Sequence, residues 1–399
     1  PNVMANPKGQ RYHEDFNAGG QQAADAMYRL IAEFSQGNTP KELRYQPGVP
    51  AYRKVWERLV AAAEDFNDPG RFTTFIAYEW TSLVKGNNLH RNVIFRDNAD
   101  KDLEIVPFTT TPPIGSRNPR DLWSWMAAYE HTTGGDVTAI AHNGNLSNGM
   151  MFPLRDDFDS EKELDLAYAQ SRMTWERLYE VTQYKGDGEA HPLLSPDDEF
   201  ADYETWDYGN LDVSQKKTPA MLPGEYARSG LLRGLQLQQK LGANPYQFGF
   251  QGATDTHTGL STASENNFFS KFTTTEPSPD RMTHAGKKNP DLGIEGFTGW
   301  MYNSAGVTAV WAEQNSRHAI FDAMERRETY ATTGPRISLR FFGGWSFDDG
   351  DANAPDLARK GYKMGVPMGS ELPPATTEAP RFLISALRDP MGANLDRVQ

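Results

Sequence analysis

The feature that most restricts how this chain folds is an alternation of short apolar runs with segments of helical spacing. Residues 72–78, 92–95, 137–141, 178–182 and 246–253 read as strands, mostly built from β-branched and aromatic side chains. Residues 20–35, 51–66, 162–180, 225–241 and 315–327 carry apolar positions at helical intervals. Gly70 closes the second of these, and Asn118 opens a further helix that stops at Gly134 and Gly135. Strands alternating with helices predict an α/β fold with a largely parallel sheet or barrel. In such folds ligands gather at the carboxyl ends of the strands. Beyond about residue 330 the texture changes. Residues 333–342 and 381–387 read as antiparallel strands separated by a Gly-, Pro- and Asp-rich stretch. The predicted organisation is a main domain over 1–335 and a β-rich appendage over 336–399.

At 399 residues the chain is long enough to bury a sizeable core without disulfides, and it has no cysteine to make one. The lack of cysteine removes thiolate metal sites and cysteine nucleophiles from consideration. A net charge of −13 argues against nucleic acid or an anionic membrane as the main partner. No run reaches the length of a membrane span. No phosphate-cradling Gly-rich loop, dinucleotide fingerprint or nucleophile-elbow serine is found.

What the runs do carry is metal-ligand chemistry at their ends. Glu79 follows the apolar run at 75–78, where it would serve as a bridging carboxylate or pair with an arginine. His90 and Arg91 stand at the entrance to the next strand. His90 is a candidate ligand, and the planar guanidinium of Arg91 suits an anionic substrate group. His142 directly follows residues 137–141, with Asn143 and Gly144 forming a tight turn beyond it. Glu180, Lys185 and His191 sit in or just after the strand at 178–182, where they would line a substrate pocket or, equally, make a loop polar for solvation. Asp255 and His257 follow residues 246–253. Two residues apart in extended chain, they would point to one side, although a lone Asp-x-His is more often a surface loop than a ligand pair. Imidazole and carboxylate without sulfur favour zinc, manganese or iron.

Residues 75–82 (Phe-Ile-Ala-Tyr-Glu-Trp-Thr-Ser), 87–96, 140–148, 189–192, 254–260 and 331–336 together resemble the bacterial family called domain of unknown function 3604 (DUF3604). That family is similar to the polymerase and histidinol phosphatase (PHP) superfamily. The resemblance implies a distorted (β/α)7 barrel with up to three metals at the carboxyl ends of its strands. By motif it implies Glu79, His90, His142, Asp255 and His257 as metal ligands. Two or three divalent ions (Zn, Mn or Fe) would accompany them in the intact protein. The superfamily's amino-terminal His-x-His and the Asp-His after it find no counterpart among the eight histidines. The expectation is therefore that the first strands of the barrel lie upstream of Pro1, and that the appendage continues past Gln399.

The function expected is metal-dependent hydrolysis of a phosphoester or related anionic ester, with metal-bound hydroxide as nucleophile. Arg91, Lys185 and Asn143 would act on the substrate, a small anionic ester. The alternative is a non-catalytic binding or assembly protein on a degenerate barrel, favoured by the missing His-x-His and by nine tryptophans, several in loops. The resemblance makes the periplasm or secretion the expected location. The cytoplasm and a homo-oligomeric state both stay open.

Overall fold

The computed structural model describes residues 3–40, 43–44, 48–158, 162–260, 271–272, 279, 281–284, 286, 288–302, 306–374 and 379–398. Helices α1 (Pro7–Ala18), α2 (Gly20–Ser35) and α3 (Pro50–Asp65) precede strand β1 (Ala77–Trp80). A two-stranded ribbon, β2 (Leu83–Val84) and β3 (Asn87–Asn88), connects β1 to β4 (Arg91–Phe95). Helices α4 (Ala99–Asp102) and α5 (Pro119–Thr133) lead to β5 (Val137–Ala141), and α6 (Leu166–Trp175) leads to β6 (Leu178–Gln183). After β7 (Gly186–Asp187) and α7 (Ala227–Leu241) the chain enters β8 (Gly249–Gly252). It then runs through β9 (Val307–Val310), α8 (Arg317–Glu325) and β10 (Thr329–Thr332). The last elements are β11 (Ser338–Gly344), α9 (Leu357–Met364), β12 (Gly365–Pro367) and β13 (Arg381–Leu387).

Strands β1, β4, β5, β6 and β7 form one six-stranded sheet with β8, which pairs with β6. The sheet is mixed, not largely parallel. Strands β5, β6 and β8 run parallel, whereas β4 is antiparallel to both β1 and β5. The reason lies between Trp80 and Arg91, where the connection is a short ribbon rather than a crossover helix, and a parallel pair needs the longer link. Among the described residues the strands make this sheet and smaller ones of two and three strands, and no closed barrel is formed.

Several element ends follow directly from local chemistry. The side chain of Asn118 accepts from the Arg120 N–H at the start of α5, Pro119 occupies the first turn, and Gly134 ends the helix at φ 64°. Other ends differ from expectation. Residues 72–78 become strand only from Ala77, and Phe72 is well exposed. Helix α3 stops at Asp65, ahead of Gly70, whose N–H donates to the Asn315 carbonyl. The helix expected over 162–180 shrinks to α6, because the Asp165 side chain caps it by accepting from the Tyr168 N–H.

The sheet separates two apolar layers. On one face Val93, Ala139, Tyr179 and Val181 pack with α5, α6 and α7 through Trp123, Met126, Trp175 and Leu237. On the other, Ile94, Ile140 and Leu178 meet Ile320 and Met324 of α8. The β9–β10 ribbon lies against β8, with the Thr329 hydroxyl donating to the Phe250 carbonyl. Strand β11 pairs antiparallel with both β12 and β13, from Ser338 opposite Leu387 to Gly344 opposite Arg381. Phe342, Phe347 and Leu383 form a separate small core there. Among the described residues no helix is long and apolar enough to cross a membrane.

Candidate metal centre

Register and strand direction bring three ligand-type side chains to one point. Because β4 runs against β1 and β5, its amino end lies at the same sheet edge as their carboxyl ends. His90 just before β4 therefore sits beside His142 just after β5, and the His142 N–H donates to the His90 carbonyl at 3.4 Å. Alternation along the strands then sorts the faces. Glu79, His90, His142 and Glu180 fall on the face shared with Ile140, and Trp80, Arg91 and Ala141 on the opposite one.

The Glu79 Oε1 lies 2.8 Å from His90 Nδ1 and 3.1 Å from His142 Nε2. The two imidazole rings are 5.5 Å apart between centroids. One ligand atom from each of the three residues lies within 4.8 Å of the others. Both histidines are buried, and His90 Nε2 and both ring nitrogens of His142 have no hydrogen-bond partner there. His90 Nδ1 is hydrogen-bonded to Glu79, but buried polar atoms are almost always paired, so the remaining imidazole nitrogens beside a carboxylate make a donor set that suits a divalent ion. Behind His142, Glu180 Oε1 stands 4.0 Å from Nδ1 and is likewise unpaired. At 4.0 Å the two make no hydrogen bond, and Glu180 acts on His142 through its charge.

The electrostatics follow from burial and charge. Burial alone would raise the Glu79 carboxyl, but His90 and His142 outweigh it and hold the group well below the usual carboxylate range. Burial lowers His90, partly offset by Glu79. Burial would lower His142 too, yet Glu79 and Glu180 raise it. Glu180 is pushed up to about 7 by burial, against the pull of His142.

The turn that carries His142 is specified locally. Asn143 adopts φ 50°, a left-handed conformation that asparagine tolerates better than most residues. A side chain at Gly144 would collide with the Tyr179 hydroxyl and the Glu225 carbonyl. The Asn143 side chain does not reach outward. Its carbonyl accepts from Gln183 Nε2 at 2.6 Å, and Gln183 also donates to Asp255 at 2.8 Å.

Asp255 and His257 line the same cavity as Glu79 and His90, but they are held differently. Asp255 has φ 55°, so the pair does not stand on extended chain as the spacing predicts. The Asp255 carboxylate is taken up by two buried ammonium groups, Lys185 and Lys271. Burial would raise Asp255, and these two charges hold it well below the ordinary carboxylate range. His257 is half-exposed, 3.5 Å from Asp255 and 3.4 Å from Lys271 Nζ. Burial brings Lys271 down to about 7 despite Asp255. Burial would lower Lys185 also, but Asp255 outweighs it and raises it.

Arg91 is not at this site. Its side chain projects to the opposite face, where its Nε donates to Glu176 Oε1 at 2.9 Å in the buried helical layer. The cause is strand alternation: with His90 on one face, Arg91 must take the other. His191 also stays away, 3.3 Å from Asp207 and against the Tyr226 ring. Lys271, which completes the charged end of the cavity, has no signal in the sequence beyond being a lone lysine in a run of phenylalanines, Phe268, Phe269 and Phe272. Glu180 was legible through its place in β6, two residues beyond Leu178 and level with His142.

No curated protein and no solved structure matches this chain. A family model covers residues 1–399, and the chain therefore belongs to the family described as "Protein of unknown function (DUF3604)".

Proposed function

We propose that this chain is a metal-dependent hydrolase of anionic esters, phosphoesters foremost, built on a relative of the PHP fold. The observation that carries this reading is the convergence of Glu79, His90 and His142, with three of the four buried imidazole nitrogens lacking a hydrogen-bond partner. Their nitrogen and oxygen donors suit zinc, manganese or iron. A divalent ion held there supplies an acidified water and a positive charge against the developing negative oxygen. The chain's own residues do the rest. Glu180 stands behind His142, 4.0 Å from Nδ1, where a small approach would let it orient a metal-bound imidazole. Lys185, with Lys271 beside it, places the positive charge left over from Asp255 at the cavity wall to bind the anionic group of the ester. Asp255 and Gln183 brace those lysines and the Asn143 turn.

A second reading, a binding protein without catalysis, is favoured by one observation. The late Asp-x-His is engaged by lysines, so Asp255 meets ammonium charge where the resemblance implies a metal. Elemental analysis of the purified full protein, followed by a panel of phosphate and sulfate esters with and without added Zn²⁺, Mn²⁺ or Fe²⁺, separates the two. The hydrolase reading expects bound transition metal and turnover that a chelator removes. A metal-free protein with no metal-stimulated turnover on any ester would leave the binding reading in place.

A further inference from the structure

The cavity beyond the charged end is walled by a connected series of aromatic rings. His257 is 5.4 Å from Phe272 between ring centroids, and Phe272 is 6.1 Å from Tyr302. Tyr302 is 5.1 Å from Trp206, which lies 4.6 Å from Phe297, itself 5.9 Å from Tyr28. These rings come from separate parts of the chain: α2, the segment after β7, and the segment before β9. Their convergence is a tertiary feature, not a local cluster. All of them line the same cavity of about 580 Å³ as Glu79, Lys185 and Lys271. Pockets of that size bury a drug-sized ligand, and aromatic walls supply large apolar contact. A phosphate or sulfate group fills only the charged end. The Tyr28 and Tyr302 hydroxyls lie 2.9 Å apart and bond each other, so this wall turns ring surface rather than hydroxyls to an occupant.

We infer that the ester this site takes is an anionic monoester of a bulky, ring-bearing apolar alcohol, rather than of a small or sugar-like one. The anionic head lies at Lys185 and Lys271, and the apolar body lies along Trp206, Phe297 and Tyr302. The inference rests on the hydrolase reading for the reaction but not for the binding, and this separates their tests.

Isothermal titration of the full chain with 2-naphthylphosphonate and with methylphosphonate tests it, because neither P–C bond is hydrolysed. The naphthyl compound is expected to bind at least tenfold more tightly. Phe297→Leu and Tyr302→Leu, each checked for a parental circular dichroism spectrum, are expected to shrink that ratio several-fold, and Lys185→Met to weaken both compounds. Equal affinity for the two compounds, no binding of either, or a naphthyl preference unmoved by both ring variants overturns the inference. A kinetic arm compares methyl phosphate, 2-naphthyl phosphate and 2-naphthyl sulfate, the last two distinguishing the head groups. Metal-dependent turnover with equal kcat/KM for methyl and naphthyl phosphates leaves the hydrolase standing and removes the inference. A naphthylphosphonate preference without turnover of any ester removes the hydrolase and leaves the pocket assignment.

Discussion

Glu180 and Arg91 are neighbours of the same three side chains in the sheet, yet the pleat gives them opposite work. Glu180 faces His142 from below, 4.0 Å from Nδ1. Drawn to hydrogen-bond distance when an ion binds His142, a carboxylate there would fix the tautomer and direction of the imidazole, and losing such a partner typically weakens metal affinity about 10- to 100-fold. Glu180→Gln is therefore expected to retain the fold and to bind zinc more weakly by that factor in a competition titration. An unchanged affinity would show that Glu180 does not orient His142. Arg91 on the other face forms a buried pair with Glu176, which also receives Arg172 and Trp123. Truncating one partner strands a buried charge and costs about 3–5 kcal/mol, here toward the low end because Arg172 remains. Arg91→Met should thus lower the denaturant midpoint while the folded fraction binds added zinc as the parent does. Loss of metal at unchanged stability would return Arg91 to the site.

At the scale of elements, the short helix α4 carries a buried acid that makes the fold pH-sensitive. Asp102 is fully buried, accepts from the Tyr129 hydroxyl at 2.6 Å through one oxygen, and leaves the other unpaired. Burial pushes its carboxyl up to about 7, against the lowering effect of Tyr129. The unfolded chain releases this proton near the ordinary aspartate value of about 4. Between roughly pH 4 and pH 7 the folded state holds a proton that the unfolded state has lost, so this group makes stability fall as pH rises through that window. Asp102→Asn is neutral throughout and keeps an acceptor for Tyr129. Its gain in urea midpoint over the parent should therefore be larger at pH 8 than at pH 5. A gain independent of pH would show that Asp102 is not protonated in the folded protein. The mixed sheet belongs to this scale as well. One ribbon in place of a crossover helix reverses β4, and the reversal is what sets His90 beside His142.

For the whole molecule, an ion that binds only the folded chain must stabilise it. At a free concentration one hundred times its dissociation constant the gain is about 2.7 kcal/mol, enough to raise the melting temperature by a few degrees. Zinc or manganese should produce that rise in the parent protein and none in the double variant Glu79→Gln, His142→Ala. A rise of equal size in both would place the stabilising ion elsewhere. The three-stranded unit of β11, β12 and β13 has its own small core around Phe342 and lies apart in sequence from Glu79, His90 and His142.

Much of this was readable from residues alone, and for a physical reason. Helical spacing placed α2, α3 and α7, and spacing with a cap at each end placed α5, to within a residue or two. Apolar runs located β4, β5 and β6, because burial demands the same side chains whatever surrounds them. Glu79, His90 and His142 were visible as ligand-type residues at the ends of such runs. The mixed direction of the sheet was not readable, since antiparallel and parallel strands bury similar sequences. Nor was the capture of Asp255 by two lysines, one of them 86 residues beyond the other. Sequence by itself determined the elements and the chemistry that their ends could offer. Only the tertiary structure decided which of those ends meet, because a face is assigned by register and strand direction, and both are set by contacts between residues far apart in the chain.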